Sequence, residues 1–259
     1  MGVVNVTPDS FSDGGVHLYP EAASTAALAM LDEGAAIVDV GAESTRPGSG
    51  GVPLDEELRR VVPVLESLVG SPVSIDTAKA DVARRALELG AELVNDVTAL
   101  RGDPELAGVV AAAGSYVCLM HMQGEPRTMQ AAPRYDDVVS EVKAFLESRL
   151  AFAVAAGILE KHVSLDPGIG FGKSVAHNFA LVRRLPELVA IGRPVVIGFS
   201  RKSSLGRILG DPTASVGSAA ASVGVAVSAY ERGAWIIRAH DVRDHVEALR
   251  VARAVLEAP

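Results

Sequence analysis

The sequence predicts an α/β fold, a (β/α)8 TIM barrel in a single domain, on three observations. Short β-rich runs alternate with amphipathic or Ala-rich segments along all 259 residues. Eight runs of each kind can be counted, the number that closes a parallel sheet on itself. Hydrophobic residues make up 49% of the chain but aromatics only 4%. The core must then be built from Val, Leu, Ile and Ala, as in parallel strands covered by helices.

The elements are expected in strict alternation. The first strand falls at residues 3–6, followed by a helix at 22–33 that stops at Gly34. Strand 37–41 leads to helix 55–68, and strand 73–75 to helix 79–89, which Gly90 terminates. Strand 93–97 precedes helix 104–113 and its stop at Gly114. Strand 116–120 precedes helix 137–156, ended by Gly157. The last three pairs are 163–165 with 176–185, 195–199 with 214–231 (stopped by Gly233), and 235–238 with 242–256. Glycine is favoured just past a helix because it adopts the left-handed conformation there without steric cost. Within the seventh helix the run GSAAASVGVAVSA has little side-chain volume, which suits a helix packed closely on the barrel. An open doubly wound sheet is the competing architecture, but it has fewer strands and a glycine-rich first turn. No Pro/Ser/Gly linker or compositional break divides the chain, so one domain is expected over residues 1–259.

Composition narrows the function. The single cysteine, Cys118, rules out an internal disulfide framework and allows a reducing compartment. It lies in the apolar run YVCLM, where a thiol serves as a small hydrophobe. No basic-then-apolar leader opens the chain, and no uninterrupted apolar run reaches about 18 residues. A soluble cytoplasmic protein with no membrane partner is the expectation. The formal net charge of −8, without a Lys/Arg-rich run, argues against a nucleic-acid surface. An anionic substrate would need local basic groups working against that global field.

Barrel enzymes place their sites at the C-terminal ends of the strands, so the residues directly after each strand are informative. Asn5 and the run TPDSFSDGG come after the first; ESTRPG after the second; Asp76 and Thr77 after the third; Asn95 and Asp96 end the fourth. His121 and MQG come after the fifth, Asp166 begins DPGIGFGKS after the sixth, SRKS succeeds the seventh, and Arg238 with His240 and Asp241 closes the eighth. One such Asp or Asn is most simply a loop cap, but eight polar sets together indicate a rim that binds something polar. Asp76, Asn95 and Asp166 are short acceptor-bearing side chains suited to a flat heterocycle with several N–H donors. Each charge-assisted hydrogen bond there would contribute roughly 1.5–3 kcal/mol. Arg46, Arg201, Lys202, Arg238 and His240 are basic, and closure of the barrel brings the eighth loop beside Asn5. That corner suits an oxyanion or diphosphate, and a neutral Asn oxygen could hold a partly hydrated Mg²⁺.

The run DPGIGFGKS imitates two nucleotide loops and satisfies neither. Pro167 stands where a Walker A loop needs its first glycine, and Lys173 where a dinucleotide loop needs its third. Its glycines are expected instead to let the backbone approach bound rings closely, with Lys173 solvated at the start of the next helix.

These motifs, in this order, resemble the dihydropteroate synthase family of pterin-binding barrels over nearly the whole chain. The matching runs are MGVVNVTPDSFSDGG, VDVGAESTRPG, VSIDTAKADVA, GAELVNDVTAL, LMHMQG, LDPGIGFGKS, GFSRKSSLG and RAHDV. The resemblance implies a transferase of folate biosynthesis, cytoplasmic and homodimeric, that requires Mg²⁺. Its members join 6-hydroxymethyl-7,8-dihydropterin diphosphate to 4-aminobenzoate and are the target of sulfonamide inhibitors. It assigns pterin binding to Asp76, Asn95, Asp166 and Lys202, and diphosphate binding to Asn5, Arg238 and His240, with Asn5 also the metal ligand. The aminobenzoate site is similar to one made by Phe11, Thr45, Pro47, Phe171, Lys202 and Ser203. Asp13 and Arg46 belong to family loops that close over the substrates, and with Asp76, Asp166 and Lys202 they complete the catalytic set it implies. Two departures stand out: the chain starts almost on the first strand, and Ala239 replaces a more common valine. Strand alternation turns position 239 away from the site.

Three rival readings are weaker. A Schiff-base lyase would use Lys202, but SRKS surrounds it with basic and hydroxyl groups. A pterin-dependent methyltransferase would not be expected to carry both STRPG and FSRKS. A non-catalytic pterin-binding protein would not need Asn5, Arg238 and His240 together. The histidines lack Cys/Asp/His spacing for zinc.

Overall fold

In the computed structural model, which describes residues 1–6, 20–43, 51–125 and 127–258, the strands run in parallel and in chain order. Six form one sheet: β1 (Gly2–Asn5), β2 (Val38–Gly41), β3 (Val73–Asp76), β4 (Leu93–Asp96), β5 (Tyr116–Met120) and β6 (Val163–Asp166). The shorter β7 (Val196–Ile197) and β8 (Ile236–Ile237) pair with each other. Two parallel bridges close the ring, Leu165 to Val195 and Gly2 to Ala239. The second seam is reinforced where Ala239 N–H donates to the Met1 carbonyl at 3.0 Å and Val3 N–H to the Ala239 carbonyl at 3.2 Å. The closed (β/α)8 barrel expected from the alternation is therefore present.

Between the strands run α1 (Pro20–Asp32), α2 (Leu54–Ser67), α3 (Ala80–Glu88), α4 (Leu106–Ala113) and α5 (Val138–Ala155). After β6 come α6 (Val175–Arg183) and α7 (Leu185–Val189); after β7, α8 (Ser203–Ile208) and α9 (Ala219–Glu231); and α10 (Val242–Leu256) ends the fold. Local chemistry sets several of these starts. Asp137 accepts from the Val139 and Ser140 amides to cap α5, and Ser174 and His177 form a reciprocal capping box at α6. Asp55, Glu56 and Glu57 oppose the positive end of the α2 dipole. All five glycines expected to stop helices adopt positive φ, and Gly114 is the left-handed cap of α4.

The seventh unit departs from expectation. The helix expected at 214–231 is α9, which starts later, at Ala219, with the Ser218 hydroxyl as its cap, and an additional short helix not expected from the sequence, α8, begins directly after the SRK turn. Ser222, Val225, Ala226 and Ala229 of α9 are buried, as its small side chains require.

Strand alternation divides the core. Val38, Val40, Ile75, Val94, Val117, Leu119, Val163 and Leu165 point outward into the main apolar core under the helices. Inside the barrel, a small plug of Leu93, Cys118 and Val196, with Met1, Ile37 and Ile236 against it, forms a floor.

Candidate active site at the C-terminal mouth of the barrel

Register places one row of residues on a common level. Asn5 pairs with Gly41, Gly41 with Asp76, Asp76 with Asn95, Asn95 with Cys118, and Cys118 with Ser164. Asp39 and Ser74 pair one step lower, and Asp166 pairs with Met120 one step higher. Gly41 leaves room for its neighbour: a Cβ there would lie 3.0 Å from the Asp76 Cβ.

Asp39, which sequence reading passed over, is the hub of this interior. It is fully buried. Its Oδ1 accepts from the Ser74 hydroxyl at 2.7 Å, and its Oδ2 from Asn95 Nδ2 at 2.9 Å and Arg238 Nε at 2.7 Å. Arg238 also donates from Nη2 to Asp76 Oδ2 at 2.9 Å. One guanidinium thus spans two carboxylates across the barrel, and both hold its pKa above its ordinary value against the effect of burial. A charged residue inside the apolar run IVDVG was the available signal for Asp39.

The carboxylates feel the reverse pressure. Burial, then the neighbouring Asp39 charge, pushes Asp76 up to about 7 despite Arg238. Burial also raises Asp166, although the Gly168 amide donates to its Oδ1 at 2.7 Å. Two acceptors of raised basicity therefore face the mouth with the Asn95 amide between them.

The β7 and β8 ends form the basic corner. The Ser200 hydroxyl accepts from the His240 amide at 3.1 Å and lies 3.0 Å from His240 Nδ1. Burial first, then Arg238 and Arg201, lower the His240 pKa to about 4, so the ring is neutral at pH 7. Arg201 sits at φ 57°, a region uncommon for residues other than glycine. Its amide donates to the Ser222 hydroxyl at 2.9 Å, and its guanidinium grips both oxygens of Asp241. This turn delivers Lys202, whose Nζ lies 4.4 Å from the centre of the Phe171 ring.

The opposite wall comes from the loops after β5 and β6. They meet backbone to backbone: a Cβ on Gly168 would fall 1.8 Å from the His121 carbonyl oxygen, and one on Gly172 2.3 Å from that of Gln123. Both glycines have positive φ. Above the polar level, Val97, Met120, Met122 and Met129 form an apolar patch with Phe171 packed against it. Sequence reading identified Phe171 but not the methionines.

Lys173 corrects an expectation. It is 3% exposed, not solvated. Its Nζ lies 2.9 Å from His121 Nδ1 and donates to the Phe171 carbonyl at 3.0 Å. Burial lowers its pKa to about 7, against the pull of Asp166. Nothing in the spacing of DPGIGFGKS distinguishes a lysine folded back under its own loop from one reaching outward.

The structure thus brings Asp76, Asn95 and Arg238 into one hydrogen-bonded network, with Asp166, Lys202, Phe171, His240 and Asn5 at the same mouth and Ser203 opening α8 beside Lys202. Phe11, Asp13, Thr45, Arg46 and Pro47 lie outside the described residues. Among the described residues no three His, Cys, Asp or Glu side chains are grouped to hold a metal ion, and no helix is long and apolar enough to cross a membrane.

Comparison with known proteins agrees with this geometry. A family model described as pterin binding enzyme matches residues 1–240. The dihydropteroate synthase of Escherichia coli (strain K12) is 46% identical, the match covering 100% of this chain and 92% of the relative. The Xanthomonas albilineans dihydropteroate synthase solved with 4-aminobenzoic acid superposes with a TM-score of 0.91 at 48% identity, over 100% of this chain and 93% of that one. The Yersinia pestis dihydropteroate synthase, solved with a sulfonamide drug, gives 0.92 at 44% identity, over 99% and 94%.

Proposed function

The chain belongs to the family of pterin binding enzymes, and from that premise we propose how the residues of its mouth divide the work. The protein is a dihydropteroate synthase, a transferase of folate biosynthesis. It condenses 6-hydroxymethyl-7,8-dihydropterin diphosphate with 4-aminobenzoate, releasing diphosphate and 7,8-dihydropteroate.

The carrying observation is the Asp39–Arg238–Asp76 network beside Asn95. In our assignment Asp76, Asn95 and Asp166 take the N–H donors of the pterin edge, and Lys202 lies against its ring. A buried carboxylate of raised pKa is a strong acceptor for such donors once ionised. The pair would also stabilise positive charge developing at the pterin methylene as diphosphate leaves. Arg238, held rigidly by two carboxylates, presents its remaining N–H face with neutral His240 and Asn5 to the leaving diphosphate. The amine of 4-aminobenzoate is a neutral nucleophile, so no strong base and no nucleophilic side chain is required. Phe171, Lys202 and Ser203 form its described wall, and Phe11, Thr45 and Pro47 are assigned the rest. Asp13 and Arg46 are assigned to the loops that close over both substrates.

Mg²⁺ fits this donor set only as a largely hydrated ion. Asn5 offers one neutral oxygen and no carboxylate cluster stands near it among the described residues, which suits an ion held mainly by water and substrate phosphate. When bound, it would offset the charge of the departing diphosphate.

Two further assignments complete the reading. The groove between α9 and α10 is lined mostly by small and apolar residues, among them Ala220, Val223, Val227, Val251 and Val255, with Glu231, Asp244 and Glu247 also in its lining. Val251 and Val255 are 65% and 69% exposed, an apolar surface that a second copy would cover in a homodimer. The lone buried thiol, Cys118, suits a reducing compartment, and we place the enzyme in the cytoplasm.

The deciding experiment mixes the protein with Mg²⁺, pterin diphosphate and 4-aminobenzoate and looks for dihydropteroate by mass. Product is expected with Mg²⁺ and little without it. Binding of the pterin without turnover would mark a non-catalytic pterin-binding protein instead.

A further inference from the structure

Lys173 is a buried lysine that none of the assignments above uses. Its Nζ reaches three acceptors at once: His121 Nδ1 at 2.9 Å, the Phe171 carbonyl at 3.0 Å and the His121 carbonyl at 3.5 Å. An ammonium has three N–H donors, so the set is matched in number. The acceptors belong to two different loops, those after β5 and β6, which also touch at Gly168 and Gly172. Tyr135 adds a fourth tie, donating to the Gly172 carbonyl at 2.9 Å. His121 is itself fixed, its ring edge-on to Phe145 at 4.8 Å. Phe171 therefore hangs from a backbone carbonyl that Lys173 holds, and Lys202 rests 4.4 Å from the centre of its ring.

We propose that Lys173 is a positioning residue for the second substrate: by tying the Phe171 carbonyl to His121, it sets the aromatic wall against which 4-aminobenzoate docks. Without the ammonium, buried acceptors on both loops lose their shared partner, and the loop carrying Phe171 is released from the loop after β5. The pterin side keeps a separate anchor in Asp39, Asp76, Asn95 and Arg238, while Asp166 and Lys202 of that side face the ammonium. Loss of Lys173 should then be felt by one substrate more than by the other.

The inference rests on the reading of Phe171 as part of the aminobenzoate wall, and its test separates the two. Lys173→Met keeps most of the length of the side chain and removes its donors. The expected result is a KM for 4-aminobenzoate raised about tenfold with kcat reduced less than threefold, and pterin affinity by calorimetry within twofold of wild type. The order of magnitude corresponds to loss of one charge-assisted interaction. Phe171→Ala should raise the same KM, and the double variant should be no worse than Phe171→Ala alone. If Phe171→Ala raises the KM and Lys173→Met does not, the inference fails while the wall stands. If Phe171→Ala leaves the KM unchanged, the wall reading fails and the inference with it. Equal losses for both substrates in Lys173→Met would mark a merely structural residue.

A measurement on the wild type guards against a variant that does not fold. The groups facing the ammonium are His121, Asp166 and Lys202. With burial they place the Lys173 titration near 7, so its side-chain NMR signal should move in that range. Rapid exchange of the Nζ protons with water together with a midpoint at the ordinary lysine value of about 10 would show a solvated side chain and overturn the proposal.

Discussion

Arg238 Nε donates to Asp39 Oδ2 at 2.7 Å, joining the eighth strand to the second across the barrel. Asp39 is wholly buried and Arg238 partly so, and the carboxylate carries Ser74 and Asn95 as well. This pair is what converts a ring of strand ends into a fixed array of donors and acceptors.

Asp39→Asn should therefore cost both stability and catalysis. Breaking a buried pair from one side costs about 3–5 kcal/mol, reduced here because Asp76 still holds the guanidinium. A loss of about 2 kcal/mol in urea unfolding is expected, with kcat/KM for the pterin diphosphate down at least tenfold. Wild-type kinetics in the variant would show that Arg238 needs no anchor.

Asp76 should make pterin binding depend on pH. Its raised pKa, about 7, means that the folded protein holds a proton there which the unfolded chain releases near 4. Folding stability from this group is thus fully present below about 4 and lost as pH rises toward 7. Pterin affinity runs the other way, strengthening as the carboxylate ionises. Calorimetric titrations from pH 5.5 to 8 should show that rise in wild type and a flat, weaker response in Asp76→Asn.

Diphosphate should bind with proton uptake at His240. The ring is neutral because burial and two arginines hold its pKa near 4, and an anion docking beside it shifts that value upward. Binding enthalpies at pH 6 in buffers of different ionisation enthalpy should reveal the uptake. His240→Gln should abolish it, and an uptake unchanged by the substitution would assign the proton elsewhere.

Gly168→Ala tests the contact between the two loops. Left-handed backbone alone costs a non-glycine residue about 1–2 kcal/mol, and the new Cβ would lie 1.8 Å from the His121 carbonyl oxygen. Thermal unfolding should report a loss of at least ~2 kcal/mol together with near-complete loss of activity. A variant of native stability would mean that the two loops separate freely.

Sulfonamides carry an aniline ring shaped like that of 4-aminobenzoate. Inhibition by a simple sulfonamide should be competitive with 4-aminobenzoate, and Phe171→Ala should weaken both ligands together. Purely noncompetitive kinetics would place the drug outside the Phe171 wall.

The alternation of β-rich and helical runs determined the barrel, because periodicity and helix stops are local properties that neighbours in sequence enforce. The mouth was legible for the same reason: polar groups directly after apolar strands stand out, as Asp76, Asn95, Asp166 and His240 did. Asp39 and Lys173 were decided only in three dimensions. A carboxylate within a strand is tolerable when Arg238, 199 residues away in the chain, closes over it. A lysine can be buried when the turns of Gly168 and Gly172 bring the acceptors of the His121 loop to its ammonium. Both depend on which side chains meet after the ring of strands closes, and burial there lowers the pKa of Lys173. DPGIGFGKS by itself specifies a sharp turn after an acidic strand end; the packing of the neighbouring loop turned its lysine inward.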